Sequence, residues 1–378
     1  MDASFLTWPD LAPTSIAAEI DAGLLELLVC PRHRLPLALQ GSGASLVCER
    51  GDRYAVVEGI PILLLSEAAQ THVEGTRSLE VAKQGAGAIL PQFDVPPGTI
   101  DPFVQKSIGA TNGSLYQHLV GKMTEYPIPH LWLPDGEGKL FLEIGCSWGR
   151  WCIAAAKQGY QPIGVDPSLK GVRAARRVAA QLGITAHYVV ADGRHLPFSD
   201  EAFSQVFSYS VLQHISRDEV RKTLLEIQRV LRPDGGVQVQ MPNIFGIRCL
   251  YHQIRRGFRE ARDFEVRYWK PHQLLSAFTT TVGPSRLSVD GYFSLNAQFS
   301  DLRFLPAKYR AVVRVSEWLR RASQKVPALG YFADSLYVSS VRSERKSALG
   351  KPVSLDAALP EVEGSSPLPA TIARDRAS

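Results

Sequence analysis

The sequence predicts an α/β fold, a mostly parallel sheet with helices packed on both faces. Three observations carry that reading. Apolar strand-like runs alternate with helical stripes between residues 140 and 241. A turn of small residues, Gly145-Cys-Ser147-Trp-Gly149, joins the first run to the first helix. The second run ends in an acid, Asp166, 21 residues beyond Gly145, the spacing of an acid that accepts hydrogen bonds from ribose hydroxyls at the switch point of an open sheet.

Each element has its own signal. Residues 24–65 are strand-rich and punctuated by turn residues. The stretch 67–112, with Gly85-Ala-Gly87 and Pro96-Pro97-Gly98, reads as a linker. Strands are expected at 140–145, 161–165, 187–191, 206–211 and 237–241. The helix over 168–182 follows from Leu169, Val172, Ala175, Ala179 and Leu182 on one face. Ser216 with Glu219 forms a capping box. It opens a helix marked by Val220, Leu224, Ile227 and Leu231, which stops at Pro233-Asp-Gly-Gly236. Residues 287–293 and 336–341 complete the strands. Residues 343–378 lack any period and predict a disordered tail, and 1–23 form a leader.

Composition narrows the class. A chain of 378 residues, 45% hydrophobic and 21% charged, can bury a sizeable core in two or three domains. The net charge of +5 permits an anionic substrate without demanding nucleic acid, for which no motif is found. Five scattered cysteines argue against a disulfide scaffold. Asp2 and Asp10 stand where a signal peptide would be basic. No apolar run approaches the ~18 residues of a membrane span. A cytoplasmic protein is expected.

The third strand ends in Ala191-Asp192-Gly193, placing a second acid where it can accept from an exocyclic adenine amine. Here a family resemblance enters. Phe141-Leu-Glu143-Ile-Gly145-Cys-Ser147-Trp-Gly149 resembles the first motif of class I methyltransferases. Residues 191–203, Val211-Leu-Gln-His214-Ile and Arg229-Val-Leu-Arg-Pro233-Asp-Gly-Gly236 resemble the type 11 subfamily. The resemblance implies a Rossmann-like sheet of seven strands, the last antiparallel between the fifth and sixth, and S-adenosylmethionine as cofactor. It assigns Glu143, Gly145 and Gly149 to the methionine pocket, Asp166 to the ribose and Asp192 to the adenine, with Ser147 and Gly193 also expected among the cofactor-binding residues. Ser147 replaces the usual middle glycine, and Ser204 stands where an aspartate is common.

Two rival readings stay open. Gly145-x-Ser147-x-Gly149 also satisfies a nucleophile elbow, which would make this a serine hydrolase with His252 or His272 as partner. A methyltransferase fold can also serve as a non-catalytic binding module. For methyl transfer, His214 just beyond the fourth strand is the candidate base. Ser208-Tyr209-Ser210-Val211 lacks the Asn/Asp-Pro-Pro-aromatic signature of planar-nitrogen acceptors and the Pro-Cys of cytosine C5 acceptors. An oxygen or carbon atom of a small molecule is the expected acceptor.

The flanks add a second resemblance. Residues 24–66, with Cys30-Pro-Arg-His33, Cys48 and Glu58-Gly-Ile-Pro61, resemble the small zinc-ribbon-like activators of methyltransferases. Cys30, His33 and Cys48 make three ligands, too few for a closed site, so the expectation is a metal-free ribbon remnant. The main domain is expected over 113–342. An arginine-rich helical insertion, 295–329, with Arg310, Arg314 and Arg321, is expected as a lid favouring an anionic or lipid-like acceptor.

Overall fold

The structure, a computed structural model, describes residues 20–41, 44–84, 90, 95–96 and 98–343. Most of the expected leader and nearly all of the tail lie outside these residues.

The N-terminal block opens with α1 (Ala22–Leu27), capped by the Asp21 carboxylate on Leu24 N at 3.0 Å. An antiparallel meander follows: β1 (Leu37–Gln40), β2 (Ser45–Cys48), β3 (Arg53–Val57) and β4 (Ile60–Leu63). Next come α2 (Val73–Gln84) and α3 (Pro102–Thr111). The segment expected as a linker therefore carries two helices. The alternating region runs β5 (Leu140–Ile144), α4 (Arg150–Lys157), β6 (Gln161–Asp166), α5 (Leu169–Gln181), β7 (His187–Ala191), β8 (Phe203–Tyr209), α6 (Arg217–Val230) and β9 (Leu231–Pro242). The chain ends through α7 (Ile247–Arg255), α8 (Pro271–Thr281), β10 (Ser285–Gly291), α9 (Ala307–Lys325) and β11 (Ser335–Val341).

All these strands join one sheet, ordered β1-β2-β3-β4-β7-β6-β5-β8-β9-β11-β10. Strands β5 to β9 are parallel, and β11 inserts antiparallel between β9 and β10. The ribbon-like block packs against the main domain and also extends its sheet: β4 pairs in parallel with β7, Ile62 facing Val190 and Leu63 facing Ala191. Leu28, Leu46 and Leu63 share one apolar cluster with Phe198, Leu224 and Phe278. A strand whose four residues are all buried cannot stand as an exposed edge, so the block completes the main core.

Side chains alternate across the sheet as the pleat requires. Leu142 and Ile144 face the layer of α6 and α8, while Phe141 packs with Trp151 and Ala155 of α4 on the other side. Helix α6 starts at the expected capping box: Glu219 N donates to Ser216 Oγ, and Ser216 N donates to the Glu219 carboxylate.

Candidate functional site

The strand order reverses between β5 and β8, so the crevice beyond the carboxyl end of β5 is the natural ligand site. The chain leaves β5 through Gly145, at φ +81°, where a Cβ would stand 2.3 Å from Val211 Cγ2. Gly149, at φ +79°, would place one 2.6 Å from the Tyr188 hydroxyl. Only glycine fits either place. Between them Ser147 also takes a left-handed conformation, φ 47°. Its N–H donates to Asp166 Oδ2 at 2.9 Å.

Asp166 Oδ1 accepts from Ser168 N at 2.8 Å. Two backbone donors thus aim the carboxylate while each oxygen keeps acceptor capacity. Burial raises its pKa against these donors. Glu143 is placed differently from expectation. It is buried, and its Oε2 accepts from Cys152 N at 2.8 Å, so it pins the first turn of α4. Burial pushes its pKa up to about 8.

Asp192 is also committed internally. Arg194 Nε donates to both carboxylate oxygens at 3.0 Å, and Arg194 N donates to Oδ1 at 2.9 Å. The same guanidinium reaches Glu219 Oε1 at 2.8 Å and the Ala69 carbonyl at 2.6 Å. Gly193 is required by packing, since a Cβ would meet Ile144 Cγ2 at 2.9 Å. Arg194 was missed in the sequence; an arginine two residues past the acid was its signal.

His214 lies in a short turn after β8. Its Nδ1 sits 2.7 Å from the Phe264 carbonyl, and its ring stacks on Phe264 with centroids 4.1 Å apart. A carbonyl only accepts, so Nδ1 carries the proton and Nε2 holds the lone pair, facing Gln213 Nε2 at 3.1 Å. Burial lowers the His214 pKa and keeps the ring neutral. Arg267 ties this loop down by donating to the His214 carbonyl at 2.7 Å.

The segment expected as a linker packs over the carboxyl end of β6. His72 packs edge-on against Phe264, 4.6 Å between centroids. On α2, Ser78 Oγ donates to the Pro167 carbonyl at 2.7 Å and accepts from Leu169 N at 2.9 Å.

A second buried group borders the glycine turn. Arg150 lies over the Tyr116 and Trp151 rings at 5.8 and 5.6 Å. Tyr116 donates to Asp301 Oδ2 at 2.6 Å. Among the described residues Arg150 Nε and Nη2, Asp301 Oδ1 and Asn112 Nδ2 are buried without a hydrogen-bond partner. Nothing in the sequence joined Tyr116, Arg150 and Asp301; only Arg150 abuts a motif.

Helix α9 of the insertion reaches a cavity lined by Trp132, Tyr209, Asp290, Val313 and Arg320. The Tyr209 hydroxyl donates to Asp290 Oδ2 at 3.0 Å. The expected lid arginines are turned away: Arg310, Arg314 and Arg321 are exposed. Only Arg320 faces inward, paired with Glu317 at 2.7 Å. Val312 and Val326 in the same insertion are exposed as well. The histidines a hydrolase would need, His252 and His272, lie on the solvent faces of α7 and α8.

Residues 141–235 match the family model of a methyltransferase domain. Among curated relatives, a ubiquinone biosynthesis O-methyltransferase from Brucella ovis is 34% identical over 152 residues, 38% of this chain and 59% of the relative. Norajmaline N-methyltransferase from Rauvolfia serpentina is 30% identical over 109 residues, 28% of this chain and 37% of that one. The chain thus spans about half the length of the curated relatives it matches. A solved phosphoethanolamine N-methyltransferase 2 from Haemonchus contortus in complex with S-adenosyl-L-methionine shares 17% identity over 66% of this chain and 61% of that one, TM-score 0.40. The matched domain runs from β5 to the start of β9 and includes Glu143, Gly145, Ser147, Gly149, Asp166, Asp192, Gly193 and His214.

Proposed function

We propose that this protein is an S-adenosylmethionine-dependent methyltransferase acting on an oxygen or carbon atom of an amphipathic small molecule. The observation that carries the reading is Asp166, oriented by Ser147 and Ser168 N–H groups beside the Gly145–Gly149 turn at the reversal of the sheet.

The residues present fit the cofactor. A Cβ at Gly145 would fill the turn, and buried Arg150 and Asn112 offer unpartnered donors beside it. Asp166 would accept from the ribose hydroxyls, and Arg150 would receive the methionine carboxylate. Asp192 would serve the adenine amine once Arg194 yields one carboxylate oxygen. The cofactor supplies a methyl group already activated on a sulfonium. The chain's part is to align the acceptor, exclude water beneath His72 and Phe264, and take a proton at His214 Nε2.

The amphipathic acceptor is supported by the surface around α7. Ile247, Leu250, Tyr251, Ile254 and Phe258 are exposed there among Arg248, Arg255 and Arg259. The test is to incubate the protein with labelled methyl donor and separate organic-phase from water-soluble acceptors. Label in the organic phase, abolished in Asp166→Ala, is expected. Cofactor binding without transfer to any fraction would favour the non-catalytic module.

A further inference from the structure

We propose that the N-terminal block holds a zinc-type divalent cation between Cys30, His33, Cys48 and Asp52. The sequence counted three ligands and predicted a metal-free remnant. The structure adds Asp52, one residue beyond Gly51, the position where a Cys-x-x-Cys pair starting at Cys48 would place its second cysteine. The four ligand atoms all lie within 4.8 Å of one another.

Two tight turns deliver them. In the first, Arg34 N donates to the Cys30 carbonyl at 2.7 Å, with Arg34 at φ 58°. In the second, Gly51 N donates to the Cys48 carbonyl at 2.8 Å and Cys48 N to the Asp52 carbonyl at 2.9 Å, with Gly51 at φ 91°. Each turn presents one sulfur and one harder ligand. Cys30 Sγ stands 3.8 Å from His33 Nδ1, and Cys48 Sγ 3.7 Å from the same nitrogen. Cys30 Sγ is 3.6 Å from Asp52 Oδ2. Bond lengths of about 2.3 Å to sulfur and about 2.0 Å to nitrogen or oxygen give tetrahedral edges near ~3.5 Å, so these three edges already match.

The fourth edge shows what binding would change. His33 Nδ1 and Asp52 Oδ2 are 2.8 Å apart, sharing a hydrogen bond. The cation replaces that proton and those of the two thiols, so binding releases protons. The surroundings suit a metal-bound thiolate: His33 N–H donates to Cys30 Sγ at 3.4 Å, and the Tyr54 hydroxyl lies 3.2 Å from it. Arg32 Nε, 3.4 Å from Asp52 Oδ1, holds the outer carboxylate oxygen and offsets the excess negative charge. Both sulfurs are buried, so two soft ligands and a carboxylate converging there have little other common purpose. Four protein ligands leave no open position, which makes the site structural. It would clasp the turns that carry β1 to β4 onto the edge of the sheet.

The test uses the full chain, purified without metal-affinity steps from zinc-supplemented cells. Elemental analysis should find about one zinc per chain, released when the thiols are titrated with a mercurial. Cobalt exchange should give thiolate charge-transfer and tetrahedral d–d absorption. Cys48→Ser should lose the metal. Should that variant misfold, Asp52→Ala, a partly exposed change, should bind zinc at least tenfold more weakly, and Asp52→Cys should restore it. A folded wild-type chain with neither zinc nor a cobalt band, or equal zinc in wild type and Asp52→Ala, overturns the proposal.

Discussion

On the proposed function, Asp166 is both a ligand residue and a brace. Replacing it by alanine removes two ribose bonds, for which ~1–2 kcal/mol each gives ~2–4 kcal/mol of cofactor affinity. It also frees Ser147 N and Ser168 N, so the glycine turn loosens. Calorimetry should show the affinity loss, and unchanged affinity would remove Asp166 from the site. Glu143 makes a pH prediction. Its folded pKa of about 8 stands above its unfolded value of about 4.3. Between those values the folded state binds more protons, so this group's stabilising contribution is full below pH ~4 and is lost as pH rises toward 8. Glu143→Gln keeps an oxygen for Cys152 N and should flatten that slope in denaturant titrations from pH 5 to 8. At His214 the lowered pKa keeps Nε2 a free base to lower pH than an ordinary histidine. His214→Gln should lower acceptor turnover and remove the acid limb of the pH profile, leaving cofactor affinity intact; an unaltered profile would make the ring structural. The three strand-end positions were legible because strand ends and glycine turns leave fixed spacings. Their allegiances were not, because Arg194 on Asp192 and Cys152 N on Glu143 depend on which way a side chain turns.

At the scale of elements, the strands and the helices between them could be read from periodicity, since each buries a continuous stripe. Helix α2 escaped because it buries only Gly75 and Ser78. It docks through the Ser78 hydrogen bonds and through Leu79, Val81 and Ala82, only half-buried against the core and too few to mark an apolar period. Ser78→Val should therefore be costly out of proportion to its size. It strands Leu169 N and the Pro167 carbonyl beside Asp166, at ~1–3 kcal/mol for each unsatisfied group. Denaturant unfolding together with cofactor titration checks this; a wild-type result in both would mean that α2 rests on the domain without shaping it. Helix α9 was legible as amphipathic but not in orientation. Its outer face keeps Trp318 66% exposed, and its arginines follow it outward.

For the whole molecule, the N-terminal block is continuous with the sheet, which composition could not reveal because a ribbon and a sheet extension read alike. Removing residues up to Ser66 would bare the β7 edge and the surface around Phe198. The truncated chain should aggregate, as judged by soluble fraction and size-exclusion chromatography; a soluble, monodisperse product would show that the block is dispensable. The position of β11 has another consequence, for synthesis. The last strand of the described chain lies inside the sheet, between β9 and β10. While a ribosome is still making residues 292–334, β9 has emerged with its outer edge bare and β10 has no neighbour to join. The sheet closes only after Ser335–Val341 leaves the exit tunnel. The nascent chain thus passes through an obligatory interval with the β9 edge open, during which it depends on rapid completion or on a chaperone to avoid pairing with another copy.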